Sequence, residues 1–113
     1  MLQPGMLLLQ EKSMRIAVDI DGILTIEIDG WDYATRTPNL SNISIVNYLY
    51  TQGHQIILYT SRRIDDLDIT TNWLLRHGVK FHHIIFDKLT YDMIIDDKSF
   101  NLKEVQIDKL ISG

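Results

Sequence analysis

The run Arg15-Ile-Ala-Val-Asp19-Ile-Asp21-Gly22 constrains this chain more than any other segment. An apolar stretch ends abruptly in two carboxylates and a glycine. Ionised carboxylates are costly to desolvate unless they are paired or bound to a metal, so a buried strand tolerates such a pair only where it leaves the sheet. In an extended chain Asp19 and Asp21 lie on the same side, and Gly22 allows a sharp turn directly after them. Two acids at the C-terminal end of a strand make a candidate site for a hard cation and a phosphate.

The rest of the chain reads as alternating strands and helices. Ile16 to Ile20 is expected to be a buried parallel strand. Residues 26 to 38 alternate around Asp29-Gly30 and read as a hairpin flap. Pro38, Asn39 and Ser41 are stop and cap residues before a helix from Asn42 to Thr51, which Gly53 ends. Gln55 to Tyr59 is a second strand, about Ile69 to His77 a second helix with Trp73 and Leu74 inward, and Lys80 to Phe86 a third strand. Tyr91 to Ile95 reads as a fourth strand and Leu102 to Ile111 as a last helix. This order implies an α/β fold with a mainly parallel sheet and right-handed crossovers, in which ligands bind beyond the C-terminal strand ends. The polar signals fall at those ends: Asp19 and Asp21, Thr60 to Arg62, Lys88, and Asp96 with Asp97.

Composition narrows the classes. At 113 residues the chain is one small domain, residues 14–113, with residues 1–13 expected to be a mobile extension before it. Fifteen acidic against 11 basic residues, a net charge of -4, disfavour nonspecific nucleic-acid binding. The absence of cysteine excludes disulfides and thiolate chemistry and is compatible with the cytoplasm, where the chain is expected to reside. No apolar run is long enough to span a bilayer, so no membrane association is expected.

Two acids, a hydroxyl, a lysine and a second acid pair are the parts needed to move a phosphoryl group. Asp19 and Asp96 could hold Mg²⁺, which takes oxygen ligands and offsets the repulsion between carboxylates and phosphate. One carboxylate can attack phosphorus while a second protonates the leaving oxygen and then activates water. Thr60 can donate to the phosphoryl oxygens, and Lys88 can neutralise the charge that develops there.

These residues carry a resemblance. Asp19-Ile-Asp21-Gly22-Ile-Leu-Thr25 resembles the first motif of the haloacid dehalogenase (HAD) phosphatase superfamily. Ile-Ile-Leu-Tyr-Thr60 resembles the second, Lys88 the third, and Ile-Ile-Asp96-Asp97 the fourth. Tyr59-Thr-Ser-Arg62, Thr71 to Gly78, Phe86-Asp-Lys88 and Asp92 to Lys98 are similar to small phosphatases of capsule and polysaccharide biosynthesis. The resemblance implies a three-layer Rossmann-like domain without a cap, since the stretch after Thr25 has room only for a small hairpin flap. It implies Asp19 as nucleophile and metal ligand, and Asp21 as general acid/base with its backbone carbonyl on the metal. Thr60 and Lys88 would serve the phosphoryl group, with Gly22, Ser61 and Arg62 on the substrate side. Asp96 would be a direct Mg²⁺ ligand with Asp97 in support, or the reverse, and Lys98 is a rival to Lys88. The chain departs from the usual pattern at Ile23, where threonine is common, although related sugar-acid phosphatases carry an apolar residue there. Capless members often close the site with a second subunit, so a homo-oligomer is expected, with Trp31 and Tyr33 as contact or lid residues.

The expected activity is Mg²⁺-dependent hydrolysis of a phosphomonoester, a sugar phosphate or similar metabolite, through an aspartyl-phosphate. The alternatives are a receiver-like or non-catalytic phosphate-binding module and a nucleic-acid end-processing phosphatase. Receivers place their acid pair first and the phospho-accepting aspartate mid-chain, the reverse of the order here. A nucleic-acid enzyme would be expected to carry an aromatic-basic stripe. His82 and His83 point to opposite faces of a strand and read as structural, Trp73 as core, and Asp65, Asp66 and Asp68 as an acidic helix start.

Overall fold

A computed structural model describes residues 13–26 and 32–100. Three strands, β1 (Arg15–Val18), β2 (Gln55–Tyr59) and β3 (His83–Ile85), form one sheet in the order β1-β2-β3, with both pairings parallel. Helix α1 (Leu40–Thr51) joins the first two strands and α2 (Leu67–Arg76) the last two. Strand order advances in one direction, so right-handed crossovers place both helices on the same face. Burial agrees. Val18, Ile56 and Leu58 point into one core with Ile43, Val46 and Leu49 of α1 and Trp73 and Leu74 of α2. On the opposite face Tyr59 and Ile85, paired in the ladder, are both exposed. The described residues therefore make two layers; the expected last helix, the tip of the flap with Trp31, and residues 1–12 lie outside them.

Local chemistry sets the element ends. Asn39 caps α1 by accepting the Asn42 amide at 3.0 Å, so the helix starts at Leu40, earlier than expected. Gly53 and Gly78 follow the two helices with positive φ, a conformation that strains other residues. β2 has the expected limits. β1 stops at Val18 because the Asp19 side chain takes the Ile20 amide and the Ile20 carbonyl gathers the amides of Ile23, Leu24 and Thr25. β3 begins only at His83. Upstream of it, the Lys80 amide binds the Asn47 side chain, and Nδ1 of His82 accepts the Ile56 amide.

The fourth strand is a correction. Tyr91 to Ile95 enters no ladder, and every residue from 89 to 100 is exposed, with Met93 at 78% and Ile95 at 95%. An apolar run becomes a strand only when a partner edge satisfies its backbone. Here the run lies beside Tyr59, Lys88 and Leu89, with which it lines a groove of about 260 Å³. The outer edge of β1 stays unpaired among the described residues. The base of the expected flap is present as an antiparallel bridge between Thr25 and Pro38. No helix among the described residues is long and apolar enough to cross a membrane.

The one-sided core has a measurable consequence. Leu58→Ala removes a fully buried side chain and should cost about 3 kcal/mol in denaturant unfolding. Ile85→Ala, on the open face, should cost less than about 1 kcal/mol.

Candidate active site

The turn after β1 presents both acids and treats them differently. Asp21 is held by a buried arginine. Arg62 Nε donates to Asp21 Oδ2 at 2.8 Å and Nη2 to Oδ1 at 2.7 Å, a two-pronged pair. Arg62 Nη1 donates to Thr70 Oγ1 at 3.1 Å, and the guanidinium carbon lies 3.8 Å from the centre of the Tyr33 ring. Only 1% of the Arg62 side chain is exposed, against 29% for Asp21. A guanidinium so buried carries a desolvation cost of several kcal/mol, which these contacts offset. A second arginine, Arg36, approaches Asp21 Oδ1 at 3.8 Å.

Asp19 is left under-coordinated. Its Oδ1 accepts the Ile20 amide at 2.8 Å. Its Oδ2 faces Lys88 Nζ at 3.8 Å, a distance suited to charge attraction rather than to a good hydrogen bond. The side chain is 41% exposed. Partial burial pushes the Asp19 carboxyl above its ordinary value, against the opposing pull of Lys88 and of the Ile20 amide; the neighbouring Asp21 adds to the rise.

Lys88 reaches this point because two loops are tied together. The Lys88 amide donates to the Thr60 carbonyl at 2.9 Å and the Asp87 amide to the Arg62 carbonyl at 2.8 Å. Asp87 adopts a φ of 58°, a left-handed conformation that aspartate accepts more readily than most residues. Thr60 is buried, its Oγ1 accepting the Arg62 amide at 3.1 Å. Ser61 is exposed beside it. Gly22, at φ 85°, closes the first turn by donating its amide to Thr25 Oγ1 at 3.1 Å.

The structure thus brings Asp19, Asp21, Gly22, Thr60, Arg62 and Lys88 to one end of the sheet. The lysine at Asp19 is Lys88 rather than Lys98. Arg62 lies beneath the surface, where it grips Asp21. Asp96 and Asp97 are exposed, and Asp96 Oδ1 accepts the Lys98 amide. Among the described residues no three His, Cys, Asp or Glu side chains converge as a metal site. Sequence reasoning missed Thr70 and Arg36, and it took Arg62 for a substrate ligand. Thr70 sits on the inward side of α2, so its buried hydroxyl was a recognisable acceptor in search of a donor. Nothing in the sequence marks Arg36.

A crystal structure of a target protein from Vibrio cholerae superposes with a TM-score of 0.70 at 28% identity, covering 87% of this chain and 96% of that one. A chain of a Pnkp1/Rnl/Hen1 complex superposes with a TM-score of 0.61 at 18% identity, over 74% of this chain and 31% of that chain. The second likeness is one of fold alone. No family model and no curated protein matches the chain.

Two substitutions probe this geometry. Arg62→Ala leaves the part-buried Asp21 without its main partner and should destabilise by about 3 kcal/mol in denaturant unfolding. Asp19 gives the opposite sign. A raised carboxyl is one whose ionised form folding disfavours. Stability from this group is therefore complete below the ordinary carboxylate value and falls as pH rises through the raised one. In chelator near neutral pH, Asp19→Asn should melt above the wild type, and the margin should close in acid.

Proposed function

We propose that this chain is a phosphomonoester hydrolase that works through an aspartyl-phosphate on Asp19. The observation that carries the reading is the pairing of a half-buried, under-coordinated Asp19 carboxylate with Lys88 at 3.8 Å, at the strand ends of a parallel sheet. Asp19 Oδ2 attacks phosphorus, the P–O bond to the leaving group breaks, and Lys88 balances charge on the phosphoryl oxygens. Asp21, held in one orientation by Arg62, enters the cycle with a proton on a carboxylate lone pair that Arg62 leaves free and gives it to the leaving oxygen. It then takes a proton from the water that hydrolyses the aspartyl-phosphate. Thr60 fixes the loop on which Arg62 and, through its carbonyl, Lys88 depend.

The HAD resemblance implies Mg²⁺, and the donor chemistry at Asp19 fits a hard cation in part. The Asp19 carboxylate and the Asp21 backbone carbonyl are oxygen ligands, and Mg²⁺ keeps several waters. When bound, the ion would offset the negative charge of carboxylate and phosphate together. Asp96 or Asp97 would complete the set. Asp96 lies eight positions beyond Lys88, enough for a reach of about 26 Å when extended. The open β1 edge offers a place where Met93 to Ile95 would pair. A sugar phosphate or similar small metabolite is the preferred substrate class, and a role in polysaccharide biosynthesis follows from the resemblance.

The test is phosphate release with Mg²⁺ from a panel of sugar phosphates, with acetyl phosphate and a 3′-phosphorylated oligonucleotide alongside. Release from sugar esters should fall about a thousandfold or more in Asp19→Asn. Stable labelling by acetyl phosphate without turnover would replace this reading with a receiver-like one. Preference for the oligonucleotide would replace it with nucleic-acid end processing.

A further inference from the structure

We propose that Tyr33 is a positioning residue that fixes the Asp21 carboxylate through Arg62, so that protonation of the leaving group depends on how residues 32–36 are seated. The inference rests on the phosphatase reading above. It concerns a residue that would touch neither phosphate nor nucleophile.

Hydrogen bonds alone leave Arg62 one freedom. Three of its nitrogens are engaged in the guanidinium plane, two by Asp21 and one by Thr70. In-plane bonds resist sliding but resist tilting poorly, because a tilt lengthens each of them only slightly at first. The Tyr33 ring covers a face of the guanidinium at 3.8 Å, which is van der Waals contact, and blocks the tilt on that side. The orientation of Asp21 follows, since both of its oxygens are bound to the same rigid fork.

Tyr33 belongs to the segment between the flap tip and α1, and it is itself well anchored. It opens a 3-10 turn (Tyr33–Thr35) that Asp32 caps by accepting the Ala34 amide at 2.9 Å. Helix α2 holds that turn from the other side: Trp73 Nε1 donates to the Arg36 carbonyl at 2.8 Å and Arg76 Nη1 to the Ala34 carbonyl at 3.1 Å. Arg36 on the same segment also reaches Asp21 Oδ1 at 3.8 Å. Two residues of one segment therefore bear on one carboxylate, Arg36 directly and Tyr33 through Arg62, and the same helix supplies Thr70 to Arg62 and Trp73 to the segment. The nucleophile is outside this network, because Asp19 is held by the Ile20 amide and faced by Lys88.

That separation gives the test. A p-nitrophenolate leaves without a proton, whereas a sugar alkoxide needs one. The comparison is kcat/KM of wild type, Tyr33→Phe, Tyr33→Leu and Tyr33→Ala on p-nitrophenyl phosphate and on the best sugar phosphate, with melting checked for each. Tyr33→Leu keeps apolar bulk against Arg62 and removes the ring, should the alanine variant fail to fold. The expected result is a loss of about 10- to 100-fold on the sugar ester and less than about threefold on the nitrophenyl ester for Leu and Ala. Phenylalanine should stay close to wild type on both. Equal losses on the two esters, or none, would overturn the inference while the phosphatase reading stands. A rise in KM for Tyr33→Phe as large as for Tyr33→Leu and Tyr33→Ala would overturn it too, by making the hydroxyl a substrate contact. A wild type inactive on both esters would sink the phosphatase reading and this inference with it.

Discussion

Everything at the working end of this molecule depends on how two carboxylates are accommodated where β1 leaves the sheet. Both are partly desolvated, and the neighbouring apolar core cannot solvate a carboxylate charge there. The fold treats them unequally. Asp21 receives a rigid, buried, two-pronged cation. Asp19 receives one amide and a more distant ammonium, and keeps an exposed oxygen beside a positive charge. An acid saturated with hydrogen bonds is a poor nucleophile but a well-aimed group. An under-coordinated acid is the reverse. The division of labour proposed for the two residues follows from that asymmetry rather than from their spacing alone.

Arg62 is the hinge of the arrangement, because its backbone and side chain do separate work. Its amide donates to Thr60 and its carbonyl accepts the Asp87 amide, which shapes the two loops that deliver Lys88. Its side chain reaches β1 through Asp21, α2 through Thr70 and the flap base through Tyr33. Parallel strands align the three loops at one end of the sheet, and this residue joins them. A lysine could not substitute, since a point charge offers neither the fork nor the flat face.

What could be read from the sequence was what depends on near neighbours. The limits of β2, the capping role of Asn39, the burial of Trp73 and the convergence of the strand ends all follow from periodicity and from residues a few positions apart. The choice of Lys88 over Lys98 needed the structure, because it turns on a left-handed Asp87 and two loop hydrogen bonds. The pairing of Arg62 with Asp21 and the stacking on Tyr33 join residues far apart in the chain, and neither leaves a periodic trace. Residues 91–95 show the opposite failure. The apolar run was visible, but a strand also requires an edge and a covered face, which composition does not encode.

Among the described residues that segment leaves one edge and one face of the sheet without a partner. Parallel sheets are ordinarily covered on both faces. Here Tyr59 and Ile85 remain exposed on one face, the β1 edge is unpaired among the described residues, and Met93, Ile94 and Ile95 are exposed close by. Pairing of that run along β1 would satisfy its backbone and bury part of its apolar surface, and would carry Asp96 and Asp97 toward the strand end that presents Asp19. Bringing more carboxylates to an acid already raised by burial and by Asp21 is electrostatically unfavourable without a cation. Burial of the run favours the docked arrangement and carboxylate repulsion opposes it. On the phosphatase reading, a divalent ion would tip that balance, and metal binding would be thermodynamically linked to completion of the sheet.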